Sequence, residues 1–189
     1  TNIGGITLTY SPLDLPINIL NGSVYAKNGY LGLNKINIVA DGMPILLDGG
    51  IHNIFTRRNF NIYVNSKPKQ DFIDKYINNS RLYPIKLKGD IVYNLKLDGI
   101  KDNMNLSAVV NMAKDSRLYY YGATVGDNEN AIILNLDMQI LQNNILKIKE
   151  FSYDKLIDSQ GIRKTRRNML KAAGGIDLYK EDLIFHDLC

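Results

Sequence analysis

His52, His186, Cys189 and the turn Asp127-Asn128-Glu129-Asn130 are the residues of this sequence best suited to chemistry. The two histidines stand far apart, and neither belongs to the His-Glu-x-x-His spacing that sets two imidazoles on one zinc ion. A lone cysteine closes no internal disulfide and builds no thiolate metal cage. His186 precedes Cys189 by three residues at a strand-like end, a poor arrangement for a base beside its nucleophile. Asp127 to Asn130 bring four oxygen-bearing side chains, the hard donors that calcium takes, but without the spacing of a calcium loop. A solvated turn is the expected reading. No Gly-x4-Gly-Lys-Ser/Thr cradle for phosphate and no Gly-x-Ser-x-Gly elbow occurs. Glycoside hydrolysis needs paired carboxylates across a cleft, which spacing along the chain does not reveal. The sequence therefore predicts no catalytic residue, no metal and no cofactor.

Arg163, Lys164, Arg166, Arg167 and Lys171 form the one dense basic run. Clustered cations raise the local positive potential and suit anionic lipid headgroups or a partner surface. The plain alternative is a solvated loop. No aromatic residue interleaves the run, so base stacking on a single strand is not expected. A net charge of +4 on 189 residues is too mild to imply nucleic acid.

Strands must position whatever these side chains do. In "LKGDIVYNLKLDGIKDNMNLSAVVNM" (87–112), Ile91, Tyr93, Leu95 and Leu97 alternate with Val92, Asn94, Lys96 and Asp98. Met104, Leu106, Ala108, Val110 and Met112 alternate after a polar turn, and Ile132 to Ile140 make the longest such run. Period-two alternation marks a strand with one apolar and one polar face. Asn28-Gly29 and Asp41-Gly42 are tight-turn signals. Asp48-Gly49-Gly50 reads as a break, and Ser23 to Lys27 as a strand separate from Ile17 to Ile19. One stretch differs: Phe72, Ile73, Tyr76 and Ile77 lie at helical spacing in an amphipathic segment over Asp71 to Asn78. It is too short to stand alone and must pack on something, as a plug or lid over the apolar face.

About a dozen strands with turns at roughly 8–12-residue spacing predict an all-β, antiparallel meander with that single helix. The length fits one β-rich segment, with possible sub-units 1–66 and 81–189 on either side of the helix. The chain begins at Thr1 in a strand-like pattern and ends abruptly at Cys189, so a piece of a longer protein is expected. No signal peptide and no apolar run of the ~18 residues a spanning helix needs is present.

Three architectures cover apolar strand faces: a sandwich, a closed barrel, or a folded-over groove whose faces meet a ligand. The apolar positions are mostly Ile, Leu, Val and Met, a smooth surface suited to acyl chains. The alternate positions are Asn, Lys, Asp and Ser, which disfavours an outer-membrane barrel with its apolar exterior.

The segments "INIVADGMPILLDGGI" (36–51) and "LYPIKLKGDIVYNLKLDGI" (82–100) resemble the repeating β segments of the AsmA-like superfamily, which includes TamB and its relatives. Met43-Pro44-Ile45-Leu46-Leu47-Asp48-Gly49-Gly50 is similar to that family's strand-opening pattern, as is the close Ala172-Ala173-Gly174-Gly175-Ile176-Asp177-Leu178. The resemblance is one of texture, spread over most of the chain. It implies an elongated U-shaped groove (a β-taco) with a greasy interior, in a periplasmic protein anchored to the inner membrane through a segment outside this chain. It also implies conduction of phospholipid, or another acyl-chain lipid, between the inner and outer membranes, with an inner- or outer-membrane protein as a further partner. Strand parity then makes the expected groove lining Ile36, Ile38, Ile45, Leu47, Phe60, Ile62, Leu95, Leu97, Leu106, Ala108, Leu134, Leu136, Met138, Ile140, Leu146 and Ile148. A single bulge would flip the positions beyond it. The basic run Arg163, Lys164, Arg166 and Arg167 is the expected headgroup or partner contact. The rival expectations are a surface structural or adhesive β-sandwich or β-solenoid without lipid, and a glycan enzyme built from scattered Asp and Glu.

Overall fold

The structure, a computed structural model, describes residues 1–11, 14–79, 85–100, 103–120, 123–141, 145–159, 163–177 and 184–186. Of residues 120, 145, 146 and those from 158 onward it describes the backbone alone. In chain order the strands are β1 (Asn2–Ile3), β2 (Ile6–Tyr10), β3 (Leu15–Lys27), β4 (Tyr30–Ala40), β5 (Met43–His52) and β6 (Asn59–Ser66). A short helix follows, α1 (Gln70–Phe72), widening into a π-helical turn over Ile73–Asn78. Then come β7 (Ile85–Lys88), β8 (Ile91–Ile100), β9 (Asn103–Met112), β10 (Arg117–Tyr120), β11 (Ala123–Gly126) and β12 (Ala131–Leu141). The last are β13 (Ile145–Ser159), β14 (Arg163–Asp177) and β15 (Ile184–His186).

Twelve strands make one antiparallel sheet in the order β1-β3-β4-β5-β6-β8-β9-β12-β13-β14-β15, with β2 also on β3. Strand β6 pairs with β8 from Asn59↔Ile100 to Ser66↔Tyr93, so the helical excursion leaves the sheet unbroken. Asn28 and Gly29 (φ 49° and 75°), like Asp41 and Gly42 (φ 43° and 82°), take two consecutive positive φ angles. That is the two-residue hairpin geometry their residue types favour.

Two local readings of the sequence are corrected. The stretches Ile17 to Ile19 and Ser23 to Lys27 belong to one strand, β3, bent by register shifts on either side of Asn21. Asp48-Gly49-Gly50 does not end β5, which runs on to His52. Gly49 sits at φ +117°, where a Cβ would overlap the Asn61 carbonyl oxygen, and it faces the bulge between Leu33 and Ile36. Its glycine thus keeps the strand going past an irregularity. The bulge also places Lys35 at φ 46°, and the Lys35 N–H donates to Asp48 Oδ2 at 3.1 Å.

A small second layer lies at one end of the large sheet. Strands β11, β10 and β7 form a three-stranded sheet in that order, and the helical segment packs beside β7. Ile73, wholly buried, meets Ile91, Met112, Ile132 and Leu134 of the large sheet in the buried apolar cluster. Ile77, Leu87, Leu118 and Val125 of the second layer pack around it. Side-chain amides fasten the layer. Asn78 brackets the Leu87 peptide, donating to its C=O at 2.8 Å and accepting its N–H at 2.6 Å. Gln70 Oε1 accepts the Gly89 N–H at 2.9 Å. Asp41, in the β4–β5 turn, accepts from Lys75 Nζ at 2.6 Å and from the Tyr76 hydroxyl at 2.8 Å. Those two donors hold the Asp41 carboxyl below its ordinary range, and Asp41 in turn raises the Lys75 ammonium.

Candidate functional site

Register sorts every residue of the large sheet onto one of two faces, and the apolar face divides into rows that run across the strands. One row, Ile38–Ile45–Ser66–Tyr93–Val110–Leu134–Tyr153, lies near the second layer. It still carries hydroxyls: Ser66 donates to the Pro44 C=O at 2.6 Å, and Tyr93 reaches Met43 Sδ at 3.8 Å. The next three rows carry none. They are Ile36–Leu47–Val64–Leu95–Ala108–Leu136–Phe151, then Leu33–Gly49–Ile62–Leu97–Leu106–Met138–Ile148, then Leu31–Ile51–Phe60–Gly99–Met104–Ile140–Leu146.

The sixteen residues expected to line a groove all share this apolar face. Bulges at Leu33/Ile36 and Asp137/Met138 are both absorbed without exchanging faces, so Ile148 stays in register with Met138 and Leu146 with Ile140. The sixteen do not share one environment. Leu134 is only 7 % exposed and belongs to the cluster beneath the second layer. Ile38 and Ile45 lie on the border row. Of the others with described side chains, Ile36 and Ala108 are buried, while Leu47, Phe60, Ile62, Leu95, Leu97, Leu106, Leu136, Met138, Ile140 and Ile148 remain partly open. Sequence reading left out the cross-strand neighbours Leu31, Leu33, Ile51, Val64, Met104 and Phe151. Val64 keeps parity with Ile62 and was findable. Leu31 and Leu33 lie across a bulge from Ile36, so parity alone misassigns them.

Among the described residues the buried cluster reaches no further along this face than Val110, Leu134, Phe151 and Tyr153. Residues at the centre of a twelve-stranded sheet would be sealed in a two-layer sandwich. Here, apart from buried Ile36 and Ala108, the described residues of three rows across seven strands stay partly exposed. With strands ~4.8 Å apart and ~3.3 Å per residue, the rows span about 29 Å by 20 Å. The rows thus occupy about 600 Å² of sheet, of which partly buried side chains leave only a fraction open to solvent.

The opposite face is mainly polar and knits itself together, with Leu46, Tyr63 and Val109 exposed on it. Asn37 donates to Asn21 Oδ1 and Asn65 to Asn94 Oδ1, each at 2.6 Å, and Asn135 donates to Ser152 Oγ at 2.9 Å. The rings of Tyr25 and Tyr30 lie over Gly32 and Gly50, at positions a Cβ would fill. A hydrogen bond with Tyr25, reinforced by burial, raises the Tyr30 hydroxyl above its usual range. Tyr63 stacks under Lys96 on the same face, 5.7 Å from nitrogen to ring centre. Several of the chain's tyrosines are thereby kept off the apolar rows.

The remaining candidates fall elsewhere. Asp127 Oδ1 accepts the Glu129 and Asn130 N–H groups at 2.9 and 2.8 Å, and Oδ2 pairs with Lys155. The oxygen-rich turn is therefore a lock between the β11–β12 connection and β13. The Lys155 ammonium, then the two N–H groups, hold the Asp127 carboxyl far below its usual range, and Asp127 raises Lys155. The basic run opens β14: Arg163, Lys164, Arg166 and Arg167 pair in register with Ser159, Asp158, Leu156 and Lys155. Leu156 is level with Ala131, the first residue of β12. The run thus stands at or beyond the end of the sheet that bears the second layer, away from the uncovered rows. Its side chains, like Cys189 and the whole of His186 beyond its backbone, lie outside the described residues.

No family model, curated protein or solved structure matches the chain. Its chemistry has to be read from its own surfaces. Among the described residues no group of three or more His, Cys, Asp or Glu side chains could hold a metal ion, and no helix is long and apolar enough to cross a membrane. The uncovered apolar rows are the candidate site. What such a surface does chemically is remove hydrocarbon from water.

Proposed function

We propose that the uncovered rows bind the acyl chains of a lipid and shield them from water, with no covalent step. In this reading the chain is a segment of a hydrophobic β-groove along which lipid moves by diffusion. One observation carries it: three rows across seven strands present no hydrogen-bonding side chain, and the cluster beneath the protein's own second layer reaches only Phe151 among them. Aliphatic contact is non-directional and needs only area. Ten methylenes removed from water yield about 8 kcal/mol gross, the scale of micromolar binding before ordering costs. A protein partner would favour anchors such as Tyr, Trp or Arg, and the three rows have none. Placement in the periplasm, an anchor in the inner membrane and passage of phospholipid toward the outer membrane rest on the AsmA-like resemblance and form part of the proposal.

Native mass spectrometry of gently purified protein is the test. Adducts of lipid mass, released by solvent and restored by adding a fatty acid, are expected. Protein that emerges bare and takes up no fatty acid on titration contradicts the reading.

A further inference from the structure

The two edges of the large sheet differ in charge. At one edge β14 pairs with β13 along its length but with β15 only from Gly175 to Asp177. Among the described residues its outer side is therefore unpaired over 163–174. That stretch holds Arg163, Lys164, Arg166, Arg167 and Lys171. Charged residues on an edge strand are a common guard against pairing with another chain. At the opposite edge β2 pairs with β3 alone. Its sequence, Ile6-Thr7-Leu8-Thr9-Tyr10, carries no charge, no proline and no bulge, and all five residues are exposed. Ile6, Leu8 and Tyr10 are 40 %, 53 % and 50 % exposed. Register puts Ile6 in line with Ile19 and Ile38, and Leu8 with Ile17 and Ala40, so the apolar face runs out to this edge. Thr7 lies on the other face, where its hydroxyl donates to Asn18 Oδ1 at 2.9 Å.

We infer that β2 pairs antiparallel with β2 of a second copy of this chain, about a two-fold axis through Leu8. Pairing centred there sets Ile6 opposite Tyr10 and Leu8 opposite Leu8 on one face, and Thr7 opposite Thr9 on the other. Apolar side chains meet apolar ones, hydroxyl meets hydroxyl, and no like charges meet, which is what cross-strand pairs need. A slip of one residue would set Leu8 against a threonine and exchange the faces. The axis stands normal to the sheet, so both copies turn their apolar faces to the same side. The contact is isologous and closes at two copies, and the cationic β14 edge keeps the pair from growing into a longer sheet. The seam is about 17 Å long, short of the roughly 1,000 Å² that a stable interface buries. The dimer is accordingly weak, half formed at about 100 µM. The inference holds whether or not lipid occupies the uncovered rows.

The test follows sedimentation of the whole chain from about 10 µM to about 1 mM, together with cysteine cross-linking in a Cys189→Ser background. Leu8→Cys sets two thiols opposite one another at a Cα separation of about 4.5–5.5 Å, which a disulfide spans. Mild oxidation is expected to cross-link it about tenfold faster than Ile6→Cys, whose two copies stand about 13 Å apart along the seam, or than Leu20→Cys, equally exposed but outside the seam. Leu8→Lys, which sets two cations face to face at an exposed position, is expected to stay folded and to sediment as a monomer throughout. Natural protein that remains a monomer at about 1 mM, a dimer that survives Leu8→Lys, or Ile6→Cys that cross-links as fast as Leu8→Cys overturns the inference.

Discussion

Leu97 and Ile132 share the apolar face of the large sheet, but only Ile132 lies beneath the second layer. Ile132 is 1 % exposed and touches the cluster around Ile73; Leu97 is partly open. An Ile132→Asp change would bury an unpaired carboxylate, with a loss of about 4 kcal/mol. That is a large part of the 5–15 kcal/mol that typically holds a domain together. A Leu97→Asp change puts its carboxylate on a partly open row, where the acyl-chain reading lets water reach it. It forfeits partial burial of a few methylenes and some strand preference, about 1 kcal/mol. With a urea dependence of about 2 kcal/mol per molar, the midpoints should fall by about 2 M and 0.5 M respectively. Uptake of a fluorescent fatty acid should drop at least tenfold in Leu97→Asp, which otherwise stays folded. If Leu97→Asp lowers the urea midpoint as far as Ile132→Asp, the rows are sealed by protein, and the reasoning fails.

The Asp127–Lys155 lock carries a pH signature. The folded-state Asp127 pKa is depressed, so its contribution is full above the unfolded value near 3.9 and is lost as pH falls through the folded value. The stability gap between the natural protein and Asp127→Asn should be constant from pH 7 to about 5 and close on further acidification. Lys155, raised by the same pair, loses its part only above about pH 10.4. Gly49→Ala should cost about 2 kcal/mol in urea unfolding, since φ +117° strains any side chain and the new Cβ meets the Asn61 carbonyl. Asp41→Ala should speed hydrogen exchange in the helical segment 70–79 more than in β8 or β9, because Lys75 and Tyr76 lose their acceptor.

Much of this fold was legible because period two is a strong signal. Once Leu95, Leu106 and Leu136 are set on strands, parity names most of the apolar face. Asn28-Gly29 and Asp41-Gly42 announce the hairpins, and Phe72, Ile73, Tyr76 and Ile77 announce the helix. What stayed hidden depends on pairing between distant residues. Strand β7 meets β10 some thirty residues away, Tyr119↔Lys86, and nothing local foretells that pairing. It decides which half of the apolar face is covered, and so why Leu134 is core while Leu136, two residues on, is partly open. Gly49 misled for a related reason: a glycine read as a chain break serves a bulge on the neighbouring strand. The basic run at 163–167 is dense in sequence, but where it stands becomes visible only through register, which carries it to the covered end of the sheet.

Photocrosslinking with a fatty acid bearing a diazirine near its methyl end, followed by peptide mapping, probes the binding face directly. Acyl-chain occupancy predicts adducts on the peptides holding Leu95–Leu97, Leu106–Ala108 and Leu136–Ile140, and few on those holding Ile91, Met112 or Ile132. Adducts scattered evenly over both faces, or concentrated on the tyrosines of the polar face, would contradict it.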